Sequence, residues 1–389
     1  MDGLIILDTI DSILFFLMAI SVGYLFIFAA AGMAKTSYSY PRATKKYRFA
    51  VFFPAYKEDK VIESAVHSFL QQEYPKEFYD VIVISDKMKD DTNLRLQQLP
   101  IELLIVDFEN SSKAKALNFA MDKLSNQKYD MVVIMDADNT VHPDFLQKFS
   151  NAYECGANVI QAHRMAKNIN TNTAILDAVS EEINNSIFRK GHVRIGLSSA
   201  LIGSGMAFEY SWFKENIKKV YSSGEDKELE GLLLKQRIYI DYLDDVPVYD
   251  EKTPKDEVFY NQRRRWIASQ YNALINSIVD LPGAIISRNV DYADKIFQWM
   301  MLPRIILLGV ISIISVLLTI IDWEASLKWW GILFLLGLAF CMAIPDYLVD
   351  KRLTKAIKKV PWLFILMFLN LFRIKGADKK FIHTDHGEH

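Results

Sequence analysis

The chain has 389 residues, of which 51% are hydrophobic, and its formal net charge is -2 at pH 7. Such a near-neutral balance gives no reason to expect nucleic acid as a partner. The apolar residues are concentrated in roughly the first 35 and the last 90 residues, so composition favours one soluble domain between membrane segments over two soluble domains.

The two cysteines, Cys155 and Cys341, are far apart in sequence. Cys155 belongs to the soluble part and Cys341 to an apolar run, and neither has the spacing of a metal ligand. We therefore expect no disulfide, and a reducing compartment is consistent with this usage.

Residues 12–34 form the first apolar stretch, which is long enough to cross a bilayer as a helix. A cleaved signal peptide is disfavoured because the preceding residues are acidic and the apolar run is long. A group of basic residues follows the stretch, namely Lys35, Arg42, Lys45, Lys46 and Arg48. Since positive charge collects on the cytoplasmic side, we expect the N-terminus outside and the next domain in the cytoplasm.

Strand-like and helix-like segments alternate from residue 49 to about residue 240. The predicted strands are apolar runs rich in Val and Ile, at residues 50–53, 81–84, 101–106 and 131–135. The predicted helices between them are residues 61–72, 113–124 and 143–153. This alternation predicts an α/β domain with a mostly parallel sheet and helices on both faces. A dinucleotide-binding fold is unsupported, because no G-x-G-x-x-G follows the first strand.

Polar side chains follow each of the four predicted strands. Asp59 follows the first strand, Asp86 the second, Lys113 the third, and Asp136 with Asp138 the fourth. Parallel strands bring these ends to one edge of the sheet, where open α/β sheets bind ligands. Carboxylates, a lysine at a helix N-terminus and a divalent cation at that edge would suit a nucleoside diphosphate. Taken singly, the first two carboxylates are more simply explained as helix caps, and the lysine as a solvated first-turn residue.

Two later segments carry further candidates. Gly203 and Ser204 begin a small, flexible run that would allow close approach of the backbone to a ligand, or would form a plain turn. Glu225 and Asp226 precede an amphipathic helix predicted at residues 227–236. First-turn acids and a helix cap explain that pair equally well on local grounds.

Residues 262–266, Gln-Arg-Arg-Arg-Trp, lie on a predicted helix just before the second membrane part. A juxtamembrane basic cluster on anionic lipid is the alternative explanation for them. The amphipathic segments at residues 268–281 and 291–300 are predicted interface helices.

Residues 305–321 and 329–349 are the next two predicted spans, joined outside by residues 322–328. Basic residues then mark the return to the cytoplasm: Lys351, Arg352, Lys355, Lys358 and Lys359. Residues 360–372 are short for a span, and Arg373, Lys375, Lys379 and Lys380 follow them, so an interfacial or re-entrant helix is preferred over a fourth span. The predicted units are therefore 1–35, 36–266, 267–304, 305–349 and 350–389.

The C-terminal tail is basic and contains His383, His386 and His389. It could cover a site in the soluble domain, although a disordered terminus is the preferred interpretation. A metal site made by the three histidines is not favoured.

These motifs occur together, in this order, in one family. The chain resembles the membrane-embedded, inverting family-2 glycosyltransferases, which include cellulose, chitin, hyaluronan and poly-N-acetylglucosamine synthases. The resemblance is carried by the strand end before Asp59, Asp86, the Ser-Lys-Ala-Lys-Ala-Leu-Asn run from Ser112, the Asp-Ala-Asp triplet from Asp136, the Gly-Ser-Gly run from Gly203, the Glu225–Asp226 pair and the Gln-Arg-Arg-Arg-Trp run from Gln262. It covers residues 49–266 in motifs and the flanking spans in layout.

The resemblance implies a GT-A fold, a nucleotide-sugar donor, UDP-linked by family habit, and Mg²⁺ or Mn²⁺. By this resemblance Asp59 and Asp86 contact the nucleotide base, Lys113 the diphosphate and Asp136 the donor, whereas Asp138 ligates the metal. Asp226, beside Glu225, is the catalytic base. Gln262 and Arg265 contact the diphosphate, and Trp266 forms the floor of the acceptor site, with Gly203 and Ser204 near the acceptor.

The chemistry of these residue types agrees with the implied roles. A hydroxyl is a poor nucleophile and needs a positioned base. A leaving diphosphate gains charge, which a cation, lysine and arginine can stabilise. A single base, with no second carboxylate as nucleophile, predicts single displacement with inversion, and an aromatic plane suits the C–H face of a sugar.

Two departures from the family pattern bear on the acceptor. Residue 224 is Gly where the family often has Thr, and only three spans are predicted. A homo-oligomer or export partner subunits could then supply the missing walls of a glycan channel. The leading hypothesis is synthesis of a β-linked polysaccharide, with export in question. Addition of one sugar to a lipid-linked acceptor is the alternative, and a non-catalytic binding subunit is disfavoured by the intact motifs.

Overall fold

The structure is a computed structural model of the chain and describes residues 2–34, 39–124, 129–222, 224–252 and 256–373. The basic residues Lys35, Lys375, Lys379 and Lys380 and the three tail histidines of the sequence analysis lie outside the described residues.

Eight strands form one sheet in the described part of the soluble domain. They are β1 (Phe49–Tyr56), β2 (Tyr79–Asp86), β3 (Glu102–Val106), β4 (Met131–Ile134), β5 (Thr140–Val141), β6 (Val159–Ala166), β7 (Met206–Glu209) and β8 (Asp241–Asp250). The four predicted strands correspond to β1 to β4.

The helices fall into an N-terminal helix, a set within the soluble domain and a C-terminal set. The first two groups are α1 (Asp2–Gly32), α2 (Ile62–Phe69), α3 (Asp90–Leu96), α4 (Lys113–Lys123), α5 (Phe145–Glu154), α6 (Asn172–Asn184), α7 (His192–Arg194), α8 (Tyr210–Asn216) and α9 (Glu225–Lys235). The C-terminal set is α10 (Asp256–Ser277), α11 (Leu281–Ile286), α12 (Val290–Met300), α13 (Arg304–Ile321), α14 (Trp323–Ala343), α15 (Lys351–Ile357) and α16 (Val360–Leu371).

The strand order in the sheet is β3-β2-β1-β4-β7-β6-β8-β5. Strands β3, β2, β1 and β4 are parallel to one another, whereas β7 is antiparallel to both β4 and β6. The register pairs Tyr56 with Asp86 and Phe52 with Ile134, so the C-terminal ends of the parallel strands lie at one edge. Helices cover both faces, and the predicted α/β fold with a mostly parallel sheet is confirmed.

The two faces of β1 explain why its sequence is apolar without alternation. Phe49, Val51 and Phe53 belong to a core with α2 and α5, whereas Ala50 and Phe52 belong to a core with α4, α9 and α12. A strand buried on both faces needs apolar residues at every position.

Three described helices are long and apolar enough to cross a membrane: residues 8–32 of α1, α13 and α14. Helix α14 packs against both α1 and α13. The indole of Trp329, on α14, is fully buried and donates to Asp11 Oδ1 of α1 at 2.9 Å, and Lys328 forms an ion pair with the same carboxylate.

The C-terminal helices differ from two predicted boundaries. The predicted link at residues 322–328 is wrong, because α14 already begins at Trp323, where Asp322 caps it by accepting from Ala325 N at 3.1 Å. The helix ends at Ala343, two residues before Pro345, rather than at residue 349. A residue before proline is disfavoured in helical backbone, which accounts for the earlier end.

Helix α10 runs through the predicted boundary between residues 266 and 267. The segment at 268–281 is therefore not a separate interface helix, because most of it continues the helix that carries Gln262 to Trp266. Helix α12 corresponds to the predicted segment at 291–300, and the 12-residue α16 is too short to span a bilayer.

Candidate active site

A cavity of about 820 Å³ lies at the C-terminal ends of β1, β2 and β4 and continues between the C-terminal helices. The predicted site residues that line it are Asp86, Lys113, Asp136, Asp138, Gly203, Glu225, Asp226, Gln262, Arg265 and Trp266. Ten of the twelve predicted site residues thus share one cavity, and the other two, Asp59 and Ser204, lie outside its lining.

Lys113 stands among the carboxylates of the cavity. Ser112 caps α4 by accepting from Lys115 N, and this places Lys113 in the first turn, below the sheet edge. Its Nζ forms an ion pair with Asp136, donates to Gly203 O at 2.8 Å and lies 3.5 Å from Glu225 Oε1. Burial lowers the pKa of Lys113, but the carboxylates of Asp136 and Glu225 outweigh burial and raise it overall. Lys113 is therefore a charged side chain fixed by its neighbours, rather than a solvated lysine.

Glu225 and Asp226 occupy the first turn of α9, and their environments differ. Glu225 is buried, and burial raises the pKa of its carboxyl to about 7, an effect that Lys113 partly offsets and Asp226 reinforces. Asp226 is less buried and accepts from Lys227 N at 2.9 Å. The pair therefore combines a buried, partly protonated carboxyl with a more accessible carboxylate in the same cavity.

Asp138 is held by neutral hydrogen-bond donors. Its Oδ1 accepts from Asn139 Nδ2 at 3.1 Å, and its Oδ2 accepts from Glu251 N at 2.9 Å. The same amide of Asn139 lies 3.2 Å from Asp250 Oδ1, so two strand-end carboxylates are tied together. This fixes the orientation of the Asp138 carboxylate at the cavity wall.

A buried charge network behind Asp136 was missed by sequence reasoning. Arg164 donates to Glu181 Oε1 at 2.6 Å and lies 3.7 Å from Asp250 and 3.8 Å from Asp136. Lys252 forms ion pairs with Glu181 and Asp250. Asp250 and Lys252 could have been sought at the end of β8, but that strand has no clear apolar run in the sequence.

Two glycines of the cavity lining allow close packing of the backbone. Gly203 has φ +80°, a left-handed conformation that favours glycine, and its carbonyl accepts from Lys113. Gly224 packs against α10, because a Cβ placed there would lie 2.6 Å from Ser269 Oγ. This contact accounts for Gly at a position where the resembling family often has Thr.

Helix α10 presents its motif residues to the cavity. Gln262, Arg265 and Trp266 line the cavity, and Gln262 Oε1 is buried without a hydrogen-bond partner among the described residues. Arg263 lies over the ring of Trp266 at 4.4 Å and over that of Phe259 at 4.7 Å. One face of the tryptophan is therefore covered by the neighbouring guanidinium.

Asp59 and Ser204 have other partners. Asp59 Oδ1 accepts from Lys89 N at 2.8 Å and Thr92 Oγ1 at 2.7 Å, and these bonds tie the segment after β1 to the start of α3. Ser204 is fully buried and hydrogen-bonded to Asn139. Glu58, which was not predicted as a site residue, is the acidic residue after β1 that lines the cavity. A base-binding role for Asp59 and an acceptor role for Ser204 stay predictions without support from this geometry.

The donor set fits a divalent cation shared with a phosphate ligand. The described residues contain no group of three or more His, Cys, Asp or Glu side chains arranged to hold a metal ion by themselves. Mg²⁺ is normally bound by one or two carboxylates together with substrate phosphates and waters. The fixed carboxylate of Asp138, next to a cavity rich in negative charge, fits that mode of binding.

The parallel sheet edge, its ladder of motif residues and its helical covers define a glycosyltransferase domain of the GT-A type. The sequence model described as "Glycosyltransferase like family 2" matches residues 47–269, which is more than half of the chain. The chain belongs to this family. The match ends within α10, which agrees with the continuity of that helix across residue 266.

Solved structures show related folds. The chain is similar to the mannosyltransferase PcManGT from Pyrobaculum calidifontis, solved with GDP-Man and Mn²⁺, with 16% identity, 84% of this chain and 96% of that chain covered, and a TM-score of 0.55. TarS 1–349 from S. aureus with UDP-GlcNAc gives 15% identity, 88% and 95% coverage, and a TM-score of 0.41. At these identities the likeness concerns the fold alone, and only the first score supports an argument about it.

Proposed function

We propose that this protein is a membrane-bound, inverting glycosyltransferase that uses a nucleotide-sugar, with its soluble domain in the cytoplasm. The observation that carries the proposal is the single cavity that joins Lys113, Asp138 and Asp226 to Gln262, Arg265 and Trp266. Family membership supports glycosyl transfer, and the three apolar helices support a membrane location.

Asp226 serves as the general base in this proposal. Its carboxylate takes the proton of the acceptor hydroxyl as the acceptor oxygen forms a bond to C1 of the donor sugar. The bond from C1 to the phosphate oxygen breaks at the same time, and the nucleoside diphosphate leaves with the electron pair. Attack from the face opposite the leaving group inverts C1, so an α-linked donor gives a β-linkage.

The leaving diphosphate is bound by cationic and polar side chains. Lys113 contacts its phosphates from α4, while Gln262 and Arg265 contact them from α10. Asp138 would hold Mg²⁺ or Mn²⁺, which supplies further charge neutralisation when bound. PcManGT, whose fold is similar, was solved with GDP-Man and Mn²⁺, which supports a nucleotide-sugar and a divalent cation here. Such charge clamps typically lower a barrier by several kcal/mol.

A growing β-linked glycan is the first candidate acceptor. The Gln262–Trp266 motif supports it, because Trp266 lines the same cavity as Asp226 and a sugar ring packs well on an aromatic plane. A lipid-linked acceptor is the second candidate. It is supported by the extension of the cavity among aliphatic side chains of α13 and α16, such as Leu307, Leu308 and Leu363.

Release of nucleoside diphosphate tests the proposed activity. Purified full-length protein in lipid, with Mn²⁺ and a panel of nucleotide-sugars, should release nucleoside diphosphate from at least one donor. Asp226→Asn should keep donor binding but lower turnover by roughly 10²–10⁴-fold, the usual loss on removal of a general base. Glu215→Gln, an exposed acid on α8, is the control. Unchanged turnover in Asp226→Asn would remove Asp226 as the base.

Product length separates the two acceptors. A ladder or a long polymer on a gel supports glycan synthesis, and a single addition to a lipid supports the second candidate. Absence of turnover with every donor, in lipid and with acceptor present, would contradict the enzymatic proposal and favour a binding subunit.

A further inference from the structure

Three arginines line the cavity where its polar part meets its apolar part. Arg189 lies in the π-helical segment Asn185–Gly191, Arg263 on α10 and Arg304 at the start of α13. We call Arg189, Arg263 and Arg304 the junction arginines. None of them has a role in the donor site described above, so the reaction scheme does not explain their position.

Arg189 and Arg263 are held in place by the fold. Arg189 is 3% exposed, and it donates to Ala200 O at 3.1 Å and to Asn185 Oδ1 at 2.8 Å. Arg263 forms an ion pair with Asp177 while its guanidinium lies against two aromatic rings. Its Nε is buried and has no hydrogen-bond partner within the described ranges.

Arg304 points into the protein rather than towards a lipid headgroup. An arginine at the end of a span usually extends outward to the membrane interface. Here Nη2 donates inward, to Ser180 O of α6 at 3.0 Å and to Ser180 Oγ at 3.3 Å. Its Nη1 is buried and lacks a hydrogen-bond partner in the part of the chain that the structure describes. Two of the junction arginines thus keep an unused buried donor.

Positive charge exceeds negative charge at this junction. Arg189 and Arg263 are both close enough to Arg304 to repel it electrostatically. Among the described residues, the junction arginines form one ion pair, with Asp177. Arg189 is also attracted by Glu181 and by Glu230, and Glu230 is paired with Lys295. The next carboxylate, Glu181, is already shared between Arg164 and Lys252. Buried charge without a counter-ion is costly, so a bound anion would be favourable here.

The apolar part of the cavity continues from the same point. It is lined by aliphatic side chains of α6, α13 and α16, including Ile183, Leu307, Leu308, Leu363 and Met367. Such a surface suits a hydrocarbon chain, whereas the hydroxyl groups of a glycan would lose hydrogen bonds to water there. Basic pockets between membrane helices are known sites for anionic lipid headgroups.

We propose that the junction arginines bind the phosphate of a long-chain lipid phosphate, whose hydrocarbon chain lies in the apolar part of the cavity. Guanidinium groups suit this ligand because they donate two parallel hydrogen bonds to phosphate. The inference rests on the second acceptor of the proposed function and names its chemical class. Its side chains differ from those of the proposed donor diphosphate site, Lys113, Asp138 and Arg265, in the same cavity.

Binding to the purified full-length protein in neutral detergent tests this site. Three probes are compared: an isoprenyl phosphate, the same isoprenol without phosphate, and inorganic phosphate. The isoprenyl phosphate should bind at least roughly tenfold more tightly than either of the other two, because it alone uses both parts of the cavity. Equal binding of the isoprenol, or of inorganic phosphate, would overturn the proposal.

Variants of Arg304 locate the binding. Arg304→Gln should weaken isoprenyl phosphate binding roughly tenfold or more, and Arg304→Lys should restore part of it. Arg352→Gln, which removes an exposed arginine from α15, is the matched control for general charge attraction. Equal binding by Arg304→Gln and wild type would overturn the proposal.

Binding of nucleoside diphosphate with Mn²⁺ is measured on the same samples. It should be unchanged in Arg304→Gln, which also shows that the variant is folded. A parallel loss of nucleotide binding with the fold retained would assign Arg304 to the donor site and overturn the inference. Wild type that binds the lipid phosphate but turns over no donor would contradict the proposed function and leave the inference standing.

Discussion

Glu225 and Asp226 are adjacent acids, and only their burial assigns them different tasks. Burial raises the pKa of Glu225 to about 7, whereas its ordinary value is 4.5. Between these values the folded protein keeps a proton that the unfolded chain has released. The free energy of unfolding should therefore fall as pH rises from about 4.5 to about 7. In the sequence both residues are acids that open a helix. In the folded protein, burial makes Glu225 retain its proton to higher pH, whereas the more accessible Asp226 is the candidate base.

The variant Glu225→Gln tests the predicted pH dependence of stability. The melting temperature of wild type should decline between pH 5 and pH 7.5, and the variant should show a smaller decline because the titrating group is gone. Glu215→Gln, at an exposed position, should keep the wild-type dependence. Parallel pH profiles for wild type and Glu225→Gln would show that the carboxyl ionises at its ordinary pKa.

Helix α9, which carries the proposed base Asp226, packs on α10, which carries Trp266. Gly224, just before α9, leaves no space for a side chain beside Ser269 of α10. Gly224→Ala should destabilise the protein by about 1–3 kcal/mol, as overpacking typically does, and should lower turnover by moving Asp226 relative to Trp266. Melting temperature and turnover are the measurements.

A compensating change distinguishes this contact from a general effect of the substitution. Ser269→Gly should restore most of the stability lost in Gly224→Ala, since it removes the clashing atoms. Gly231→Ala is the matched control in the same helix, where the nearest atom, of Trp299, is 3.5 Å from the added Cβ. If the two substitutions instead lowered stability additively, the contact between residues 224 and 269 would not be the source of the strain.

At the scale of the molecule, the GT-A domain and the apolar helices share one cavity, so their orientation across a membrane matters. Cys155 is exposed in the soluble domain, and Cys341 lies on α14. In a Cys341→Ser background, a membrane-impermeant maleimide should label Cys155 in inverted vesicles and not in intact cells. A variant lacking both cysteines gives the background. Labelling in intact cells would contradict a cytoplasmic domain.

Prediction from sequence succeeded where a structural signal is local. Strands β1 to β4 were recognised because burial on both faces makes each an unbroken apolar run. Strands β5 to β8 were missed. Strands β5 and β7 have only two and four residues, and β8 mixes charged with apolar positions. Residues 322–328 were predicted as a link, but from Trp323 onward they belong to α14. Lys328 instead pairs with Asp11 across α1 and α14.

Local patterns in the sequence specify the alternation of elements, the apolar helices and the motif residues that meet at the parallel sheet edge. Three features of the cavity follow only from packing between distant elements. Glu58 rather than Asp59 lines it, Arg263 covers a face of Trp266, and Arg304 turns inward. The reason is physical. Hydrophobic periodicity is a property of a few consecutive residues, whereas the partner of a buried charge depends on packing between elements distant in the chain.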